Sequence, residues 1–227
     1  MAKKISRKKL LKEPDEFMTF TGNLFQFAKK HRVKLIWSCG GIVSFILIFL
    51  GMQFFSTRAE KKAATLLEQN MSRYETILKE SDLSKAYRDL GKDFEQILKR
   101  YSKTGAGKIA TVIYANMCFK ADEVDKSITL YGKALQYFGD TPSLKNIILS
   151  GLAHSYQKKK DYEHAIEYFK MIASGPDFTM KGEALFNLGQ IYGAKGDMDR
   201  KREVFQQIIS DHSDSIYIEM VKEGMSG

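Results

Sequence analysis

The stretch GLAHSYQKKKDYEHAIEYFKMIASGP, residues 151–176, has the spacing of two amphipathic helices joined by a short turn at residues 160–162. On each side of this turn, apolar or small residues recur at positions i, i+3, i+4 and i+7. They are Leu149, Leu152, Ala153 and Tyr156 before the turn, and Ala165, Phe169 and Ile172 after it. An α-helix has about 3.6 residues per turn, so residues with this spacing share one face. The stretch therefore predicts a helical hairpin that buries one face of each helix.

The same spacing recurs in two other segments. One copy spans residues 187–209, NLGQIYGAKGDMDRKREVFQQII, in which Gly189 follows Ala153 by 36 residues. A weaker copy spans residues 113–135, IYANMCFKADEVDKSITLYGKAL. Pro142 and Pro176 are 34 residues apart, and each falls near the end of a copy. A period of this length indicates an array of stacked structural repeats.

The repeated unit resembles the tetratricopeptide repeat (TPR). That family has Leu-Gly or Leu-Ala followed by Tyr on a first helix, Ala and Phe on a second helix, and Pro near the end. The sequence departs from this pattern at Lys201, where Ala is usual, and at Cys118, where Tyr is usual. The resemblance implies an all-α fold, a superhelical solenoid of α-α repeats over residues 108–215.

The resemblance also implies a protein-binding groove lined by the first helix of each repeat. The residues at the family's groove positions, here called the groove residues, are Asn116, Phe119, His154, Gln157, Asn187 and Gln190. This set lacks the repeated Lys and Arg with which some family members hold a C-terminal carboxylate. We expect a different ligand, an extended peptide or a partner helix.

A single apolar segment near the N-terminus predicts a transmembrane helix. Residues 35–55 contain no charged residue, and a helix of this length spans about 31 Å, close to the roughly 30 Å of a bilayer core. A cleaved signal peptide would have a shorter apolar run and fewer residues before it. Gly40 and Ser44 form a small-xxx-small pair, which is compatible with a homo-oligomer.

The charge distribution predicts the orientation of this helix. Residues 1–34 contain ten Lys or Arg and three Asp or Glu, a net charge of +7, whereas residues 56–227 have a net charge of +2. Because basic residues are retained on the cytoplasmic side, we expect a cytoplasmic tail and, in a bacterium, an inner-membrane protein with a periplasmic domain. Arg58, Lys61 and Lys62 lie just beyond the apolar run and weaken this prediction. The surplus of basic residues beside the membrane indicates contact with lipid, and we expect no nucleic acid partner.

The basic tail, residues 1–34, is predicted to contain an amphipathic helix. Pro14 suits a first helical position, and the apolar face consists of Phe17, Phe20, Leu24, Phe27 and His31. This helix is expected either to lie on the inner membrane surface or to dock a cytoplasmic partner, and the sequence leaves both alternatives open.

The remaining segments complete the predicted domain organisation. No Gly or Pro occurs between residues 52 and 90, so the membrane helix is expected to continue outward as far as a stop near Ser81 and Asp82. Residues 56–107 then form either a helical stalk or a divergent first repeat. Residues 216–227 are predicted to be a capping helix, with Ile216–Met220 and Tyr217–Val221 pairs at helical spacing.

No arrangement of residues in the sequence indicates catalysis. Residues 102–108 resemble a phosphate-binding loop, but the first Gly is missing and Ile109 replaces Ser or Thr, so a loop between helices is expected. His154 and His164 lie on different predicted helices without other ligands at metal spacing. Cys39 and Cys118 cannot form a disulfide framework. We therefore expect no enzymatic activity, no cofactor and no metal ion.

The whole layout predicts a membrane-anchored adaptor or scaffold for protein partners. A short basic tail, one membrane helix and an exported repeat domain also resemble the ancillary subunit of the bacterial Sec translocon. That resemblance implies an adaptor that links secretion to periplasmic chaperones. A scaffold for envelope assembly or cell division, and a regulator of a membrane enzyme that acts through the tail, are the alternatives.

Overall fold

The structure is a computed structural model that describes residues 16–79, 83–175, 180–212 and 215–226. Within these residues it is all helical and contains no strand. The helices are α1 Glu16–Lys30, α2 Arg32–Lys79, α3 Leu83–Tyr101, α4 Gly105–Lys120, α5 Val124–Phe138, α6 Pro142–Lys158, α7 Tyr162–Ala173, α8 Lys181–Ala194, α9 Met198–Asp211 and α10 Ile218–Ser226. The chain divides into two compact units, Met1–Thr57 and Arg58–Gly227.

The first unit consists of α1 and the apolar part of α2. Helix α2 is long enough and apolar enough to cross a membrane, and none of its apolar window is buried. The predicted amphipathic helix corresponds to α1, although Pro14 and the side chains of Phe17 and Leu24 lie outside the described parts of the chain. Phe20 and Phe27 are exposed, and the Phe27 ring centre lies 4.7 Å from that of His31.

Helix α2 continues without a break to Lys79, as the absence of Gly and Pro predicts. Ser81 and Asp82, the predicted stop, lie outside the described residues, and α3 begins at Leu83. In the second unit, Tyr74 of α2 and Phe94 of α3 are buried in the same core as residues of α4 and α5. This segment thus joins the repeat core through its apolar face.

Three helical hairpins follow, α4–α5, α6–α7 and α8–α9, and each packs on the next through contacts of α5 with α6 and of α7 with α8. A turn of the same conformation joins the two helices of each hairpin. Asp122, Lys160 and Gly196 occupy its left-handed position, with φ of 69°, 63° and 79°. These three hairpins are the three copies predicted from the sequence.

Aromatic rings fill the space between helices where small residues allow a close approach. A Cβ atom on Gly189 would overlap the Phe205 ring, and a Cβ atom on Gly151 would overlap the Tyr131 ring. Of the two aromatic residues that the stretch 151–176 predicts in the core, Phe169 is buried and Tyr156 is half-buried. Tyr114, Tyr131, Tyr192 and Phe205 of the other helices are buried as well. Side-chain size at these positions therefore sets how closely the helices pack.

The two departures from the repeat pattern have physical explanations. Lys201 packs its methylene chain close to Gly193 and places its ammonium group 5.6 Å from the centre of the Phe205 ring. The apolar stem of a lysine can cover buried surface while its charge remains in water. Cys118 is fully buried, and this burial raises the pKa of its thiol to about 12. Cys118 is thus a core residue.

Two local expectations were wrong. Residues 105–108 are not part of a loop, because α4 begins at Gly105. The C-terminal helix begins at Ile218, and only one of the two predicted pairs faces the core: Val221 is buried and Tyr217 is half-buried, whereas Ile216 is 83% exposed. Helix α10 contacts α9 through this single face.

Candidate protein-binding groove

The first helices of the three hairpins, α4, α6 and α8, lie next to one another. Helix α4 contacts α6 directly. Between α6 and α8, Nε2 of His154 lies 3.7 Å from a carboxylate oxygen of Glu183. The first helices therefore form a continuous surface on which the groove residues are distributed.

At the junction of α4 and α6, the structure places Phe119 against Lys158. The Lys158 ammonium group lies 5.0 Å from the centre of the Phe119 ring and donates a hydrogen bond of 3.2 Å to the Phe119 carbonyl oxygen. Lys158 also pairs with Asp122 at 2.7 Å. Gln157, beside Lys158, is half-buried, and Asn116 is exposed one turn before Phe119. Phe119 is thus held in place, while the Asn116 amide faces solvent.

At the junction of α6 and α8, His154 and Asn187 share one neighbour. His154 packs its ring edge-on against Phe169, with the ring centres 5.1 Å apart, and approaches the carboxylate of Glu183. Asn187 donates from Nδ2 to the Glu183 carbonyl oxygen at 2.9 Å. Part of the hydrogen-bonding capacity of Asn187 is therefore used within α8. Gln190 lies further along the helix and is exposed.

Three further residues near this surface were not predicted from the sequence: Ile147, Lys158 and Glu183. Ile147 is 49% exposed, which is unusual for a large aliphatic side chain on a helix whose neighbours are buried. Ile147 precedes His154 by seven residues, and Glu183 precedes Gln190 by seven. Seven residues are close to two helical turns, so each pair falls on one face. That spacing is the signal that would have identified Ile147 and Glu183.

The side chains on this surface are mostly hydrogen-bonding groups. Its exposed side chains include the amides of Asn116 and Gln190, which donate and accept hydrogen bonds, the aliphatic chain of Ile147 and the ammonium group of Lys158. This combination suits the backbone and side chains of a peptide.

Among the described residues, no three or more His, Cys, Asp or Glu side chains lie close enough together to hold a metal ion. His164, on the second helix of the same hairpin as His154, stacks on Tyr156 and contacts Asp161 through Nδ1 at 2.8 Å.

The segment that resembles a phosphate loop is the N-terminus of α4, and its backbone donors have partners within the chain. Gly105 and Ala106 donate to the Glu60 carboxylate at 2.7 and 2.8 Å, and Gly107 donates to the Thr104 hydroxyl at 3.0 Å. A carboxylate at a helix N-terminus satisfies free N–H groups and complements the helix dipole. Glu60 thus occupies the position that a phosphate would take.

A cleft of about 700 Å³ lies between α2 and α3, apart from the groove residues. Its walls include Leu66 and Ile97, and the ion pair between Arg73 and Asp93 lies at its edge with a distance of 2.6 Å. The cleft is wide and largely open to solvent. It is therefore not the surface that the family pattern indicates.

A charged and aromatic cluster fixes the first hairpin against α3. Tyr114 stacks on Phe94 at 5.4 Å, and the Lys126 ammonium group lies 4.9 Å from the centre of the Tyr114 ring and 2.5 Å from a Glu95 carboxylate oxygen. Burial raises the pKa of Tyr114 well above its usual value. The hydrogen bond from Lys126 lowers the pKa of Glu95. These contacts join α3, α4 and α5 at one point.

Ion pairs at equivalent positions connect successive hairpins. Lys159 pairs with Asp125 at 2.7 Å, and Lys195 pairs with Glu163. In both cases the lysine directly follows a first helix, and the acid is the second residue of the preceding second helix. The sequence period is thus reproduced in surface contacts as well as in the core.

Comparison with known proteins identifies the family. The sequence profile of the tetratricopeptide repeat-like domain matches residues 30–222, well over half of the chain. No curated protein sequence is significantly similar to it. The kinesin light chain TPR-like repeats from Podosopora anserina match with a TM-score of 0.53 at 14% identity, covering 66% of this chain and 76% of that one. BtubC from P. vanneervenii matches with a TM-score of 0.50 at 16% identity, covering 70% and 72%.

At these identities the solved structures show similarity of fold alone. The family match agrees with the copies read from the sequence and with the three hairpins of the structure. Repeats of this type typically mediate protein–protein interaction and are generally non-catalytic scaffolds. The chain belongs to the tetratricopeptide repeat-like domain family.

Proposed function

We propose that this protein is a membrane-anchored adaptor that binds protein partners through its groove residues. The observation that carries the proposal is the continuous surface of α4, α6 and α8, on which Asn116 and Gln190 are exposed. A surface of this kind in a family of interaction scaffolds, with these two amides exposed, is suited to holding a peptide or a partner helix.

Anchoring by residues 35–55 is supported by the exposure of the apolar part of α2. Phe45, Leu47 and Phe54 are each more than 60% exposed, and burying apolar area stabilises by roughly 25 cal/mol per Å². A bilayer supplies that burial without another protein segment. The excess of basic residues before the span favours a cytoplasmic tail and an exported repeat domain at the bacterial inner membrane.

The finer proposal is an adaptor of the secretion machinery. The layout of tail, span and exported repeats resembles the ancillary subunit of the Sec translocon, so we propose the translocon and periplasmic chaperones as partners. A scaffold for envelope assembly or cell division would use the same groove with one fixed partner.

Site-specific photo-crosslinking in native membranes tests the groove. A benzophenone amino acid is placed at His154 or Gln190, with matched probes at the exposed Gln136 and Lys170 on second helices. We expect crosslinked partners from the groove positions only. Translocon subunits or secretory chaperones would support the secretion adaptor, and a single assembly protein would favour the scaffold. Equal crosslinking from all four positions would contradict binding in the groove.

Alkaline carbonate extraction of membranes tests the anchor separately. The full chain is expected to remain in the membrane pellet, and replacing Leu47, Ile48 and Leu50 by Lys should release it. Release of the unaltered chain would contradict anchoring.

Regulation of a membrane enzyme through the tail is a second candidate, favoured by exposed aromatic residues on α1. Phe20, Phe25 and Phe27 are 55 to 72% exposed, which leaves three large rings available to a partner or to lipid. Removing residues 1–31 would abolish regulation while leaving groove crosslinking intact. Unchanged activity of every membrane enzyme tested would contradict this candidate.

A further inference from the structure

A basic face of α2 begins directly after the apolar run. Arg58, Lys61 and Lys62 are exposed, and at about 100° per residue they fall within roughly 100° of the helix circumference. Such spacing places three cations side by side on a single helix. This face is available for an anionic ligand.

The opposite face of the same helical turns docks on the repeat domain. Ala59 and Glu60 are half-buried and Ala63 is fully buried. The Glu60 carboxylate accepts the two backbone hydrogen bonds from the N-terminus of α4. The turn between α3 and α4 is therefore held against α2 at the level of Glu60.

This turn brings a second group of cations to the same level of α2. Lys99, Arg100 and Lys103 are exposed and precede Gly105 by only two to six residues. The turn is tight, because the Thr104 amide and hydroxyl both donate to the Tyr101 carbonyl oxygen, at 2.9 and 2.7 Å. The two groups of cations therefore lie on segments that the Glu60 contact holds together, and the six residues are here called the basic collar: Arg58, Lys61, Lys62, Lys99, Arg100 and Lys103.

Within the described parts of the chain, no carboxylate pairs with any member of the basic collar. The nearest acid in α2, Glu60, already accepts two hydrogen bonds from α4. Six cations without acidic partners repel one another, so a bound anion would stabilise this part of the fold.

The position of the collar along the chain indicates the source of the anion. Arg58 follows Phe55, the last residue of the apolar run, by three residues, so its Cα lies within about 11 Å of that of Phe55 in any conformation. A head-group layer adds roughly 5 to 8 Å to each side of the bilayer core. The first cations of the collar therefore fall at the level of lipid phosphates if residues 35–55 span the bilayer.

We propose that the basic collar binds the phosphate groups of anionic phospholipids in the leaflet from which the repeat domain emerges. The inference rests on the anchoring proposed above and adds a lipid ligand to it. Guanidinium and ammonium groups bind phosphate oxygens through charge-assisted hydrogen bonds. An anionic lipid shell at the collar would fix the depth of α2 in the bilayer and offset the repulsion among the six cations.

Native mass spectrometry of the full chain in detergent tests this proposal. The probes are dioleoylphosphatidylglycerol and dioleoylphosphatidylcholine, titrated separately. Two collar variants are compared with the unaltered protein: Arg58→Gln/Lys61→Gln/Lys62→Gln and Lys99→Gln/Arg100→Gln/Lys103→Gln. The matched control, Lys120→Gln/Lys133→Gln/Lys160→Gln, removes three exposed cations elsewhere on the repeat domain. Circular dichroism verifies that every variant is folded.

We expect the unaltered protein and the control to prefer phosphatidylglycerol, and each collar variant to lose at least about tenfold in apparent affinity for it. Rising salt should weaken the preference of the unaltered protein. An unchanged preference in the collar variants, or an equal loss in the control, would overturn the collar and leave anchoring intact. Failure of the unaltered chain to remain in membranes on carbonate extraction would instead overturn the anchoring.

Discussion

The left-handed residue in each hairpin turn offers a direct test of local backbone strain. Lys160 holds φ at 63°, whereas Gly196 occupies the equivalent position at 79°. Only glycine adopts this region without steric cost, so Lys160→Gly is expected to raise the free energy of unfolding by about 0.4 to 1 kcal/mol. The reverse change, Gly196→Ala, should lower it by about 1 kcal/mol.

Urea unfolding of the full chain in nonionic detergent, followed by circular dichroism, measures both variants. Lys160 is exposed and forms no ion pair with a described residue, so its removal should act through the backbone alone. A loss of stability on Lys160→Gly would show that this lysine makes a contact that outweighs the strain.

Glu95 should make the stability of the first hairpin depend on pH. The hydrogen bond from Lys126 lowers the pKa of Glu95 below its usual value of 4.5 in the folded state. A carboxyl group whose pKa is lower in the folded than in the unfolded state stabilises the fold at pH values above its unfolded-state pKa. This stabilisation is lost as the pH falls through its folded-state pKa. Glu95→Gln should therefore lower the free energy of unfolding at pH 7, by at most about 1 kcal/mol for a pair this exposed.

The measurement compares urea midpoints of the unaltered protein and Glu95→Gln at pH 7 and near pH 3. The difference should shrink as the pH falls from 7, because Glu95 becomes protonated first in the unfolded chain and then, at a lower pH, in the folded protein. Glu75→Gln, an exposed site on α2, serves as the control and should show little difference at either pH. A difference for Glu95→Gln that is independent of pH would contradict the charge-based explanation.

At the scale of the helices, the N-cap of α5 differs from those of α7 and α9. Asp161 and Asp197 accept a hydrogen bond from the backbone of their own helices, whereas Glu123 forms no such bond. The backbone is nevertheless nearly the same, with φ of −81° and ψ of 63° at Glu123 against −84° and 76° at Asp161. The shorter side chain of Asp is therefore the missing feature.

Glu123→Asp is expected to stabilise the protein by a few tenths of a kcal/mol to about 1 kcal/mol, because Asp is among the preferred N-cap residues. The urea midpoint measures the gain, and Glu123→Gln is the control that keeps the side-chain length. Equal effects of the two substitutions would contradict a capping mechanism.

The close approach of α8 and α9 at Gly189 should be intolerant of even a methyl group. A Cβ atom there would overlap the ring of Phe205, which is buried, whereas a Cβ atom on Gly132 of α5 would meet no atom within 4 Å. Gly189→Ala should therefore destabilise by about 3 kcal/mol. Gly132→Ala, the matched helical control, should stabilise by about 0.5 to 1 kcal/mol. Partial rescue of Gly189→Ala by Phe205→Leu would locate the cost in this contact.

The helices and their buried faces could be predicted from the sequence because both depend on local spacing. The buried ring of Phe169 and the small residue Gly189 follow directly from the helical period. The contact of Glu60 with the N-terminus of α4 joins residues 45 positions apart, and no local pattern encodes it. In the groove, the family pattern predicted His154 as a groove residue. The approach of His154 to Glu183 could not be predicted in this way, because it depends on how two hairpins stack.

Across the repeat domain, the core divides into two clusters that meet at α6. Ile148 and Leu152 belong to the cluster that extends from α2 to α6, and Leu149 and Ala153 belong to the cluster that extends from α6 to α10. In a solenoid each repeat contacts only its neighbours, so stability is close to a sum of local terms. A weakened C-terminal cluster should therefore open while the first cluster remains folded.

The labelling rate of Cys118 by a maleimide tests this division. The Cys118 thiol is fully buried in the first cluster, and its pKa is raised to about 12, so labelling in native conditions requires opening. In a Cys39→Ser background, Leu90→Ala should destabilise the first cluster by about 3 kcal/mol and speed labelling roughly a hundredfold. Gly189→Ala, with a similar cost in the second cluster, should change the rate by less than about threefold, because Cys118 can remain buried while α8 and α9 separate. Similar acceleration by both variants would show that the two clusters unfold as one cooperative unit.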